Sequence, residues 1–139
     1  MKKDIEFPKV QNVSVAVVQK PDAEGDGFDW VVYLLNNNDF PLANVLVASK
    51  GYGLLENGEQ QKTGVLRHMI QTVAPHDYAI IERIDPQVFH LTNEYFVTYY
   101  EGNFGTKIYD KKFLFVPESI VEENLSYIPQ IELKGILHD

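Results

Sequence analysis

Short stretches in which apolar and polar residues alternate recur along the whole chain. Residues 13–18 form the first of these stretches, and residues 28–35 form the second, which is apolar on both of its alternating faces. A period of two predicts a β-strand, and a strand that is apolar on both faces is typical of the centre of a sheet. The pattern therefore predicts two strands at the start of the chain, of which the second is central.

Turn signals separate the later alternating stretches from one another. Asn57-Gly58 favours a tight hairpin turn, and Asp85-Pro86 favours the start of a short helical turn that ends at Phe89. The remaining predicted elements are strands at 44–53, 62–70, 78–84, 94–101 and 106–116, a short helix within 117–124, and a last strand near 131–137.

The composition also favours strands over helices. Valine, isoleucine and aromatic residues, which fit a pleated surface, are abundant in this chain. About seven or eight short strands separated by turns are typical of two antiparallel sheets packed face to face. No repeat or long linker divides the chain. We therefore expect an all-β protein, an immunoglobulin-like or fibronectin-like sandwich with one or two short helical turns, in which residues 1–139 form a single domain.

Charge and cysteine content exclude several classes of function. The chain holds 12 lysine and arginine residues against 20 aspartate and glutamate residues, which gives a net charge of −8. Nucleic-acid binding requires a basic surface that neutralises phosphates, so we expect no nucleic-acid partner. The chain contains no cysteine, which excludes disulfides, thiolate metal sites and cysteine nucleophiles.

The sequence indicates a cytoplasmic protein. Its opening residues include two lysines, but no apolar stretch of the kind found in a secretory signal follows them. No apolar run approaches the roughly 20 residues that a membrane-spanning helix requires. We therefore expect a cytoplasmic location and no membrane partner.

Two features resemble immunoglobulin-like and fibronectin-like sandwiches. Residues 91–97 read LTNEYFV, which resembles the corner of such folds where a tyrosine, here Tyr95, hydrogen-bonds back to the corner. Trp30, on an early central strand, resembles the core tryptophan of these folds. This resemblance supports the fold and implies almost nothing about function.

A second resemblance covers most of the chain. It rests on residues 2–5 (KKDI), 45–53 (VLVASKGYG), 65–68 (VLRH) and 109–113 (YDKKF). These stretches resemble an uncharacterised family of small bacterial proteins, some of which are labelled phenylalanyl-tRNA synthetase subunits. The label implies binding of ATP, phenylalanine and tRNA. A class II synthetase core is larger than this chain, and the net charge opposes tRNA binding, so a translation-associated factor is the weaker alternative for the function.

No set of residues completes a known catalytic or metal-binding motif. The acidic loop at 22–27 begins like a calcium loop, but its twelfth position is Tyr33 where a calcium loop has glutamate. The histidines show none of the short spacings of zinc sites, and none of the serines lies in a GxSxG motif. We therefore expect no enzymatic activity, no catalytic residues, no metal and no cofactor.

The most informative feature is an excess of aromatic residues on both faces of the strands predicted at 94–101 and 106–116. In the first of these, Tyr95 and Tyr99 alternate with Phe96 and Tyr100. Each sheet of a sandwich has one core face, so one aromatic set is expected to look outward. Either the C-terminal segment, 119–137, covers that outer face, or the face is open to a partner.

We expect a non-enzymatic protein-interaction module whose partner is another protein or a second copy of the chain, as in a homodimer. The surface predicted for this role comprises Tyr52, Phe96, Tyr100, Phe104 and Tyr109, with Tyr52 and Phe104 placed on loops. The alternative is a small-ligand or carbohydrate-binding domain that uses Tyr52, Tyr100, Phe104 and Tyr109.

Overall fold

A computed structural model of the chain describes residues 8–102, 105 and 107–139, and most of these residues lie in β-strands. The strands are β1 (Val13–Pro21), β2 (Phe28–Asn36), β3 (Leu42–Leu54), β4 (Gln60–Lys62), β5 (Leu66–Val73), β6 (Tyr78–Arg83), β7 (Thr92–Glu101), β8 (Ile108–Phe115), β9 (Ser126–Ile128) and β10 (Leu133–His138). Two short 3₁₀ turns lie between strands, at Pro86–Val88 and Glu122–Asn124. No helix in this part of the chain is long and apolar enough to cross a membrane.

The strands form two antiparallel sheets that pack face to face. The first sheet has the order β6-β2-β1-β10-β9, and the second has the order β4-β3-β7-β8, with β5 also paired to β3. β1, β2 and β6 thus share one sheet and β3, β7 and β8 share the other. Strands A, B and E and strands C, F and G of an immunoglobulin-like fold are divided in the same way. The predicted sandwich is confirmed.

The main core lies between the two sheets. Because successive side chains of a strand point to opposite faces, the strands that form this core contribute alternate residues to it. The buried core residues of the first sheet include Val15, Val17, Val32 and Leu34, and those of the second include Val45, Val47, Tyr95, Val97, Tyr99, Phe113 and Phe115. The two sets predicted on the strand at 94–101, which is β7, are thereby resolved, since Tyr95 and Tyr99 are the inward set.

A second apolar cluster lies on the outer face of the first sheet, where the C-terminal segment covers it. β1 and β2 contribute Ala16, Val18, Val31, Tyr33 and Leu35, and the C-terminal segment contributes Ile128, Ile131 and Leu133. β2 is therefore buried on both faces, as its sequence predicts. The alternative in which residues 119–137 cover the outward aromatic residues is wrong, because β10 pairs with β1 and brings this segment to the other sheet.

Three elements differ from the prediction, and the described residues form ten strands in place of about seven or eight. The strand predicted at 62–70 is divided into β4 and β5. Between them the Gly51 N–H donates to the Thr63 hydroxyl oxygen at 2.8 Å, while the Thr63 N–H still donates to the Gly51 carbonyl at 2.9 Å. A side chain thus replaces one of the two backbone partners there. The strand predicted near 131–137 is present as β10, but an additional strand, β9, precedes it and forms a hairpin with it. The helix predicted within 117–124 is only the turn Glu122–Asn124.

The corner between β6 and β7 contains the predicted helical turn. The Asp85 carboxylate accepts a hydrogen bond from the Gln87 N–H at 2.9 Å, and Pro86 begins the turn. Trp30 packs edge-on against Phe89, with ring centroids 5.3 Å apart. Trp30 is only partly buried, so it closes the end of the core near this corner and does not lie at its centre.

Candidate functional site

The outer face of the second sheet carries apolar side chains that remain open to solvent. Leu46 on β3, Met69 on β5, Phe96 on β7 and Ile108 on β8 are 38%, 81%, 36% and 48% exposed. Cross-strand pairing places Met69 beside Leu46 and Ile108 beside the half-buried Tyr100. We call this outward side of β4, β5, β3, β7 and β8 the open face.

Three of the five residues predicted for an interaction surface share the open face. Phe96 and Tyr100 lie on β7, and Tyr52 lies further along β3. Tyr52 is in a strand, paired with Thr92 and Lys62, so its predicted placement on a loop is wrong. Phe104 lies outside the described residues.

Tyr109 lies on the opposite side of the second sheet from the open face. Its ring stacks on that of Tyr99, with centroids 5.2 Å apart and planes at 3°. Its hydroxyl donates to the Glu101 carboxylate at 2.7 Å, and this hydrogen bond raises the pKa of Tyr109. Tyr109 is therefore engaged at the end of the core and does not extend the surface of Phe96 and Tyr100.

A shallow depression of about 370 Å³ surrounds Phe96 on the open face. It is lined by Ala48, Lys50, Val65, Arg67, Glu94, Phe96 and Lys112. The Glu94 side chain is only 8% exposed, and the ammonium groups of Lys50 and Lys112 each lie 3.7 Å from its carboxylate. The Tyr52 hydroxyl donates to the same carboxylate at 3.2 Å. Burial, followed by this hydrogen bond and the charge of Glu94, raises the pKa of Tyr52.

The open face is basic although the chain as a whole is acidic. The charged residues that its strands turn outward are Lys50, Lys62, Arg67 and Lys112 against Glu94 and Asp110. The whole chain has a net charge of −8. Four cations and two carboxylates therefore share the open face with Leu46, Met69 and Phe96.

A second polar cluster joins the two sheets beside β5 and β6. The Oε1 atom of Glu82, on β6, accepts a hydrogen bond from the Ser49 hydroxyl at 2.7 Å and lies 2.7 Å from His68 Nε2. The Tyr95 hydroxyl donates to the other carboxylate oxygen at 3.2 Å. The resemblance to a tyrosine corner implies that Tyr95 hydrogen-bonds back to the corner. Instead, its hydroxyl bonds to a side chain of the first sheet.

The geometry of the Glu82 cluster is that of a structural contact. In a nucleophilic triad the imidazole lies between the serine hydroxyl and the carboxylate and accepts the hydroxyl proton. Here Ser49 donates directly to Glu82, and His68 binds the same carboxylate oxygen. The serine hydroxyl therefore donates its proton to Glu82 and not to the imidazole. Among the described residues, no buried side-chain nitrogen or oxygen lacks a hydrogen-bond partner.

In the acidic loop at 22–27, the Asp22 carboxylate binds backbone N–H groups of the same loop. Asp22 Oδ1 accepts hydrogen bonds from the backbone N–H groups of Glu24 and Asp26, at 3.2 and 3.1 Å. In the part of the chain that the structure describes, no group of three or more histidine, aspartate or glutamate side chains is placed to hold a metal ion.

Comparison of the sequence with models of known protein families gives no match, and comparison with curated proteins gives none either. The function of the protein is therefore inferred from its geometry.

The sequence does not single out the aliphatic and basic members of the open face. Leu46, Met69, Lys50, Arg67 and Lys112 lie on three different strands, and only the register of those strands brings them together. Alternation along each strand divides its residues into two sets. It does not say which set faces outward or which residues become neighbours, so the signal is lost without the register.

Proposed function

We propose that the protein is a non-enzymatic protein-interaction module and that the open face is its binding surface. The contrast between the two outer faces carries this proposal. Ile128 and Ile131 pack over part of the outer face of the first sheet, where Ile80 stays 50% exposed beside Tyr33. On the second sheet, Leu46, Met69 and Phe96 belong to neither buried cluster and stay exposed together. Neighbouring exposed apolar residues rimmed by polar ones are typical of interaction surfaces.

The edge of β5 supports self-association as one form of this activity. Among the described residues, this eight-residue strand pairs only with β3, so alternate backbone N–H and C=O groups on its other side can pair with a second chain. The strand has no proline, lysine or carboxylate, and Arg67 is its only lysine, arginine or carboxylate side chain, so fewer edge-protecting residues lie on it than on β8. Two copies related by a two-fold axis can align their β5 strands antiparallel and continue the second sheet across a homodimer.

The other edge of the second sheet is protected in the usual way. β8 carries Asp110, Lys111 and Lys112 in succession. Charges on an edge strand disfavour pairing with another chain, because pairing would bring them into a drier environment. The difference between the two edges favours β5 as the strand through which copies associate.

Sedimentation velocity over a wide range of protein concentration tests this proposal. We expect the wild type to sediment faster as its concentration rises. Met69→Lys, which places a charge beside the β5 edge, is expected to raise the dimer dissociation constant about tenfold or more, equivalent to about 1.4 kcal/mol.

Tyr127→Lys is the matched control, since Tyr127 is 59% exposed on β9 of the first sheet. It is expected to associate like the wild type. A wild type that stays monomeric at every concentration would contradict self-association, as would an equal loss in the Tyr127→Lys variant.

The small-ligand or carbohydrate-binding role, the translation-associated role and the cytoplasmic location stay predictions from the sequence.

A further inference from the structure

The basic charge of the open face is concentrated around one apolar side chain. Cross-strand pairing places Arg67, Ala48, Phe96 and Lys112 in one row across β5, β3, β7 and β8. Lys50 lies two residues beyond Ala48 on the same side of β3. Three cations therefore surround an apolar floor made by Phe96 and Ala48.

Glu94 positions two of these cations without neutralising the site. Its carboxylate lies 3.7 Å from the ammonium groups of both Lys50 and Lys112, and the two lysine side chains remain 46% and 55% exposed. One buried carboxylate thus faces two ammonium groups, and the exposed guanidinium of Arg67 adds a third positive charge. The depression keeps an excess of positive charge on a chain whose net charge is −8.

We propose that this depression binds an acidic segment of a partner protein, with one apolar side chain of that segment seated against Phe96. The apolar side chain would contact Phe96, Ala48 and Val65, and carboxylates on either side of it would meet the surrounding cations. A depression of about 370 Å³ falls in the lower part of the range of about 300–1,000 Å³ found for ligand sites, so one large side chain fits it. This inference rests on the proposed function, since it assigns a partner chemistry to the open face.

Charge complementarity favours this occupant over two others. Two copies of the depression facing each other would bring like charges together, which disfavours the same face of a second chain. A nucleic acid extends its phosphates well beyond three cations, and the rest of this acidic protein would repel them. A short acidic segment confines its charge to the depression itself.

Fluorescence anisotropy with a labelled peptide tests the proposal. The probe is fluorescein-labelled Gly-Asp-Glu-Phe-Glu-Asp-Gly amide, and we expect saturable binding that weakens as salt is added, since salt screens exposed charges. Replacing the acidic residues of the peptide with their amides, or its phenylalanine with alanine, is expected to weaken binding about tenfold or more, or about 1.4 kcal/mol.

Variants of the protein locate the binding site. Arg67→Glu and Phe96→Ala are each expected to weaken peptide binding about tenfold or more. Lys20→Glu makes the same charge change at an exposed position on β1 of the first sheet and is expected to bind like the wild type. Thermal unfolding of each variant is measured as a control, and only variants that are folded at the temperature of the binding measurement are compared.

Several results would overturn the proposal. These are no saturable binding to the wild type, an equal loss in Lys20→Glu, or a thymidine oligonucleotide that competes with the peptide at equal concentration. The last result would assign the depression to nucleic acid. Absence of peptide binding by a protein that still self-associates through β5 would overturn this inference alone. Peptide binding by a strictly monomeric protein would support the acidic-segment site and contradict only the proposed homodimer.

Discussion

Glu82 connects the two sheets by hydrogen bonds at the side where β5 and β6 lie next to each other. Its carboxylate engages Ser49, His68 and Tyr95, which come from three different strands of the second sheet. The Glu82 side chain is only 12% exposed, so these hydrogen bonds compete weakly with water. A buried hydrogen-bond network destabilises a fold when one of its polar groups lacks a partner. Such a group has lost its hydration and gains no hydrogen bond in return.

Glu82→Gln should therefore destabilise the protein. The amide replaces one carboxylate oxygen with a donor, which faces the Ser49 hydroxyl or the Tyr95 hydroxyl in place of an acceptor. We expect the free energy of unfolding in urea to fall by about 1–3 kcal/mol. Glu59→Gln makes the same change at an exposed position of the β3–β4 hairpin and should cost under about 0.5 kcal/mol. Equal effects of the two substitutions would show that the hydrogen bonds of Glu82 between the sheets do not stabilise the fold.

The buried tyrosines make stability depend on alkaline pH. Burial is the main cause that raises the pKa of Tyr95 and of Tyr99 above the ordinary value of 10.0. The folded protein therefore keeps these protons at a pH where the unfolded chain releases them. The contribution of these tyrosines to the free energy of unfolding is constant below about pH 10 and falls as the pH rises above it, by up to about 1.4 kcal/mol per pH unit for each tyrosine.

Urea unfolding on either side of pH 10 measures this slope. Tyr95→Phe should flatten it, because the phenylalanine has no proton to release, whatever its effect on stability at neutral pH. Tyr127→Phe removes the same hydroxyl from a 59% exposed side chain and is the comparison variant. An unaltered slope in Tyr95→Phe would contradict the account of this buried hydroxyl.

At the scale of the element, alternation predicts the strands well, and their contacts less well. β1, β2, β6 and β7 begin and end within a few residues of their predicted positions, because alternation and turn residues act locally. The break at Thr63 coincides with a side-chain hydrogen bond to Gly51, and the β9–β10 hairpin is held against β1. Such long-range contacts leave no periodic signal in the sequence.

The same distinction explains what could be predicted of the site. A period of two separates Tyr95 and Tyr99 from Phe96 and Tyr100, and the structure keeps the two sets apart. It does not say that Tyr109 shares the inward side with Tyr99, because that depends on the register of β8 against β7.

β10 lies so close to β1 that it requires a glycine. A Cβ atom at Gly135 would lie 2.8 Å from the backbone oxygen of Val17 and 2.7 Å from a methyl carbon of Val18. The backbone oxygen cannot move aside without disturbing the β1–β10 pairing. We expect Gly135→Ala to lower the free energy of unfolding by about 1–3 kcal/mol.

Gly64→Ala is the matched control, because a Cβ atom there would meet nothing within 4 Å. Urea unfolding of the two variants under the same conditions gives the comparison. If Gly135→Ala were no more harmful than Gly64→Ala, the close approach of β10 to β1 would be wrong, and with it the covering of the first sheet.

At the scale of the whole molecule, the two outer faces of the sandwich have different roles. The C-terminal segment covers part of the first sheet through Ile128 and Ile131, and the second sheet keeps Met69 and Phe96 in solvent. The net charge of −8 limits indiscriminate association of the chain, while the basic depression marks where an acidic partner is favoured. A specific contact at the open face is thus compatible with general repulsion between copies.

Amide hydrogen exchange at low and high protein concentration tests the role of the open face most directly. We expect the amides of β5 to exchange more slowly as concentration rises, because a second copy pairs with their free edge, while the amides of β9 are unaffected. Exchange in β5 that does not change with concentration, or protection that appears on β9 and not on β5, would contradict association through this edge of the open face.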